Sequence, residues 1–140
     1  MTQEEIEAQD PAIVAIYDLL TAPGASPRIA STIGTRMYPV QVPDDTEAPY
    51  LTYSQLNAVP TGSKDATIVN EWNFDIEIFT KTGYEGKLVA NAVRASLSEK
   101  VTEVEGIGNV RLLYSDELDG GFDETRELFI TGLFFRARKA

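Results

Sequence analysis

Glu71, Asn73, Asp75 and Glu77 alternate with Trp72, Phe74, Ile76 and Ile78 along the stretch NEWNFDIEIF. Successive residues of an extended strand point to opposite faces, so the polar set shares one face and the apolar set the other. Carboxylates two residues apart stand roughly 6.5–7 Å apart at their Cα atoms. Two acids at that spacing can act in glycoside hydrolysis or bind a cation. They can also simply face water from the outer side of a half-buried sheet. No partner base or phosphate cradle accompanies them, and the solvated face is the expectation.

Other stretches invite chemistry and fall short of it. SDELDGGFDE places Asp116, Asp119, Asp123 and Glu124 around Gly120 and Gly121. A calcium loop needs acids at alternate positions and a glycine at the sixth; Leu118 interrupts the alternation and Gly120 comes too early. A hairpin turn built on Gly120-Gly121 is expected instead. PTGSK holds only a fragment of a phosphate-binding loop, and TGYEG lacks dinucleotide-binding spacing. The chain has no Cys and no His. Disulfides, thiolate nucleophiles, Cys/His zinc sites and Ser-His-Asp triads are thereby excluded.

With 22 acidic against 12 basic residues, the net charge is -10. Affinity for nucleic acid comes mainly from cations that neutralise phosphates, so a DNA-wrapping surface is not expected. The 140 residues are 43% apolar, which suits one domain with a real core. MTQEEIEAQD has no basic segment leading into an apolar run, so no signal peptide is expected. No stretch approaches the ~20 apolar residues of a membrane helix.

Asp10-Pro11 opens a helix in which Ile13, Ile16, Tyr17 and Leu20 form one apolar stripe. TAPGASP stops it. RIASTIGTRMYPV reads as a short helical turn followed by an extended piece. QVPDDTEAP is a loop. Residues 50–56 form a strand, 57–70 a long polar connection, and EWNFDIEIF the clearest strand. KTGYEGKLVANAVRASLSEK is the clearest helix. Leu88, Ala92 and Ala95 share its apolar side beside Val89, Val93 and Leu97, while Lys87, Asn91, Arg94 and Glu99 are polar. Strands follow at 110–115 and from ELFITGLFFRARK, with an acidic turn over 115–125. The expected fold is α+β: a mainly antiparallel four-stranded sheet with two main helices on one face.

Four segments in succession carry a further signal: AIYDLLTA, TRMYPVQVPDDTEAPYLTYSQL, WNFDIEIFTKTGYEGKLVANAVRASL and DETRELFITGLFFRAR. Their order and spacing resemble the tail completion proteins of long-tailed bacteriophages, also called tail terminator or tail-to-head joining proteins. The resemblance spans about Ile13 to Arg138. It implies a single α+β domain over 1–140 that closes into a six-membered ring. The implied ring caps the tail tube at the head-proximal end of the virion, ends polymerisation and docks on the head connector or stopper protein. It implies no enzyme, no cofactor, no metal and no membrane, and DNA that crosses the channel unread. It also implies assembly in the host cytoplasm. Six copies at -10 each would carry -60, and a channel lined by part of that charge would let DNA slide.

Long polar segments are the expected contact surfaces. The ring and tube candidates are Asp44, Asp45 and Glu47; Thr61, Lys64 and Asp65; Asp116 and Asp119; and Arg136 and Arg138. The arginines belong to a small basic tail that is either solvated or bridged to an acidic neighbouring chain. Glu71, Asp75 and Glu77 are the candidate exposed or channel-lining face. Two competing readings remain: a soluble acidic domain that holds a cation or basic partner on its sheet face, and an acid-pair hydrolase.

Overall fold

The computed structural model describes residues 11–39, 42–43, 46–60, 69–104 and 108–139. These contain helices α1 (Pro11–Thr21), α2 (Pro27–Thr32) and α3 (Gly83–Leu97). The strands are β1 (Met37–Pro39), β2 (Tyr50–Pro60), β3 (Val69–Thr80), β4 (Val101–Val104), β5 (Gly108–Asp123) and β6 (Leu128–Lys139).

The sheet corrects the expectation of four antiparallel strands. Among the described residues it has six strands in the order β1-β2-β3-β6-β5-β4. It is mixed, because β1 runs parallel to β2 while the other neighbours are antiparallel. The two additional strands are only three and four residues long. Alternation cannot be read over so few residues; these strands exist because longer neighbours offer them hydrogen bonds. Helices number three among the described residues, and all three contribute to the same core.

The hairpin after β5 also lies elsewhere than expected. Gly120 and Gly121 do not turn the chain; they lie inside β5, which continues to Asp123, and the turn occupies 124–127. The register shifts between Tyr114 and Asp116 and again between Asp119 and Gly121. At the second shift Gly121 adopts φ +82, a left-handed conformation that favours glycine. Likewise β2 runs on to Pro60, so the long polar connection is shorter than expected.

The β3 alternation holds. Trp72, Phe74, Ile76 and Ile78 are all buried and face the helices. Met37, Leu51, Tyr53, Val110, Leu112, Leu133, Phe135 and Ala137 complete the inner face of the sheet. Above them lie Ile16 and Leu20 of α1, Ile29 of α2, Ile33, and Val89, Ala90, Val93 and Leu97 of α3. Of the expected apolar side of α3, Val89, Ala92, Val93 and Leu97 are buried; Gly86, Ala90 and Ser96 join them, whereas Ala95 is exposed. Thr82 caps this helix, its side chain accepting from the Glu85 N–H at 3.1 Å.

The outer face is not uniformly polar. At one end Tyr50 stacks on Phe79 with ring centroids 4.8 Å apart. Leu128 joins them, and Tyr38, Val42, Ala48 and Ile130 pack around this second cluster.

Candidate assembly surface

The acids of β3 lie on the outer face and are half-buried. Strand register decides what each one meets. Glu71 lies opposite Arg138, and Asn73 opposite Arg136. Glu71 Oε1 therefore accepts from Arg136 Nη1 at 3.4 Å and from Arg138 Nη2 at 3.3 Å. The two arginines expected to be solvated, or to seek a neighbouring chain, thus bracket an acid of their own chain. Asp75 lies opposite Ser54 and accepts a hydrogen bond from its hydroxyl.

Glu77 sits between Thr52 and Gly132. Burial, and secondarily the neighbouring Asp75 charge, raise its carboxyl above the ordinary carboxylate value. A carboxyl raised in this way binds its proton more tightly folded than unfolded. Its favourable contribution is complete below the ordinary carboxylate range and is lost as pH rises through the folded value. Glu77→Gln is therefore expected to melt at or above the wild-type temperature at pH 7, with the difference closing towards pH 4. Thermal melts at the two pH values check this.

Among the interface candidates, Asp44, Asp45, Thr61, Lys64 and Asp65 lie outside the described residues. Glu47 is exposed. Asp116 and Asp119 are exposed on β5 and shape the backbone around them. Asp116 Oδ1 accepts from the Glu117 N–H at 2.8 Å, and Asp119 Oδ1 from the Gly121 N–H at 2.9 Å. Asp123 does the same for the turn, accepting from the N–H groups of Thr125 and Arg126 at 3.0 and 3.2 Å. The acid-rich stretch thus shapes bulges and a turn, as short Asp side chains do. Among the described residues no group of three or more acids could hold a metal ion, and no helix is long and apolar enough to cross a membrane.

Several contacts escaped sequence reasoning. Lys87, assigned to the solvent side of the helix, pairs with Glu117 across to β5. Beside that pair an open cleft of about 350 Å³ is lined by Gly83, Lys87, Glu117, Asp119, Phe129 and Thr131. Phe122 and Phe129 meet edge to face at 4.9 Å while both remain exposed. Period-two reading from Val110 loses this face between the two bulges, where Glu117 and Asp119 take it, and regains it at Phe122.

Arg126 anchors the β5–β6 turn to the outer cluster. Its Nη1 donates to the Tyr50 hydroxyl at 2.9 Å, and its guanidinium lies 5.9 Å from the centre of the Phe79 ring. Arg126→Ala is expected to cost about 1–2 kcal/mol, the sum of a net hydrogen bond and a partly exposed cation–π contact. Urea unfolding would measure it.

Comparison with known proteins follows the same lines. The sequence matches the family model described as tail completion protein gp17 over residues 14–131. No curated protein matches it. Among solved structures, a chain from the virion of a native gene transfer agent particle has a similar fold, with a TM-score of 0.68 at 22% identity. The match covers 88% of this chain and 90% of that one.

Proposed function

Because this chain belongs to the tail completion protein gp17 family, a family of structural phage tail proteins, we propose that it is the virion subunit that caps the tail tube as a ring. The ring, six copies in this reading, ends tube polymerisation and joins the tail to the head connector. Its partners are further copies of itself, the tube protein and the connector or stopper protein. DNA passes through without being read. The family match over residues 14–131 carries this proposal.

The physical character of the chain supports it. A net charge of -10 per subunit disfavours adhesion to phosphates. Two of the three β3 acids are engaged within the chain, Glu71 by Arg136 and Arg138 and Asp75 by Ser54. Negative-stain microscopy of the purified protein, alone and mixed with tail tubes, tests the reading. Rings of uniform diameter, or caps at one tube end with arrested growth, are expected. Monomers that leave tube ends bare and tube growth unchanged would overturn it.

A further inference from the structure

We infer that the open edge of β5 pairs with the far edge of β2 in a second copy of this chain, making the sheets of neighbouring subunits continuous. The occupant rests on the ring reading above; the edge itself follows from the strand register.

β4 covers β5 only over Gly108–Arg111. Leu112 makes the last bonds on that side: its N–H donates to Lys100 O at 2.9 Å and its carbonyl accepts from the Glu99 N–H at 2.8 Å. From Leu113 to Asp123 the strand has β6 on one side and no described strand on the other. Leu112 faces away from β6, and alternation through the two register shifts turns the backbone of Tyr114, Glu117, Asp119 and Phe122 to the same open side. The opposite border of the sheet has the same shape. β1 covers β2 only over Leu51–Tyr53, so Ser54–Pro60 has β3 alone beside it among the described residues.

Open edges of this length invite another strand. Charge selects which one. Two β5 edges meeting about a two-fold axis would set the acidic stretch Asp116, Glu117, Asp119 and Asp123 of one copy along the same stretch of the other, and like charges facing across strands destabilise the pair. The β2 strand, YLTYSQLNAVP, contains no charged residue. The acidic edge therefore rejects its own kind and tolerates the uncharged edge of the next subunit. Pairing opposite borders of one sheet is a head-to-tail contact, the kind that builds rings. Leu118 and Phe122, 56% and 48% exposed, supply apolar surface at this edge for the neighbour to cover.

The absence of cysteine makes disulfide mapping clean. Glu117→Cys or Asp119→Cys is combined with Gln55→Cys, Asn57→Cys or Ala58→Cys and oxidised mildly. At least one pair is expected to give covalent oligomers larger than a dimer, while the single variants give none. Covalent dimers from Asp119→Cys alone would mean β5 meets β5 and would overturn the inference. So would rings that no pair can link. Asp119→Pro removes one outward N–H and spares the β6 ladder. In sedimentation runs it should raise the concentration needed for assembly by at least about tenfold, whereas Asp119→Asn assembles as wild type. Rings that ignore the proline sink the edge contact and leave the ring reading intact. A wild-type chain that never assembles, even on tubes, removes both.

Discussion

Phe135→Ala is expected to cost about 3–5 kcal/mol and to lower the melting temperature by roughly 10–20 °C. Phe135 is 1% exposed on β6, directly opposite Phe74 on β3 and Tyr114 on β5. Its ring stacks on Phe74 at 5.5 Å and meets Tyr114 edge-on at 5.7 Å. Truncation removes both contacts and leaves a cavity that three hydrogen-bonded strands cannot collapse to fill. A domain of this size is stable by only ~5–15 kcal/mol, so the loss is a large fraction of the total. Phe135→Leu, which refills part of the volume, should recover about half of the loss. Guanidinium unfolding of the two variants decides the matter; an alanine variant within about 1 kcal/mol of wild type would show that this ring is not central to the core.

Gly86→Ala should destabilise by about 1–3 kcal/mol, although glycine inside a helix ordinarily costs ~1 kcal/mol relative to alanine. The reversal comes from the sheet beneath. A Cβ at Gly86 would lie 2.8 Å from Thr131 Oγ1 and 2.9 Å from Thr80 Oγ1. Neither threonine retreats easily. Both are β-branched, and Thr80 is fully buried with its hydroxyl donating to Thr82 O at 2.7 Å. Gly86 therefore sets how closely the first turns of α3 approach β3 and β6. Adding Thr131→Ala to Gly86→Ala should return part of the stability, and the cycle of single and double variants measures the coupling. A stabilised Gly86→Ala would mean that helix and sheet separate without cost.

Both predictions bear on the ring. α3 and the three central strands form the platform from which the β5 edge projects, and Lys87 of α3 holds Glu117 on that edge. Loosening the platform blurs the edge that the neighbouring subunit is proposed to read.

How much of this was legible before the fold was known depends on the range of the interaction concerned. The apolar parity of β3 was plain, because Trp72, Phe74, Ile76 and Ile78 repeat every second residue and the burial agrees. The 84–99 helix was plain too, within a turn of its observed limits. Val89, Ala92, Val93 and Leu97 were legible on its buried side, but alanine, serine and glycine carry little hydrophobic signal, and only contact with the sheet selects Gly86, Ala90 and Ser96. The acidic stretch after Tyr114 looked like a turn because Asp and Gly dominate turns. Asp116 and Asp119 use the same chemistry inside a strand, tying bulges instead of reversing the chain.

The family, the antiparallel core of the sheet and the lack of cysteine and histidine were determined by the sequence itself, through residue order, short-range periodicity and composition. Tertiary structure alone decided that β1 and β4 exist, that β5 extends past its neighbour, and that Glu71 belongs to Arg136 and Arg138. Those features arise from pairing between segments far apart in the chain. A register shift of one residue changes the face on which every following side chain lies, and only the assembled sheet sets that register.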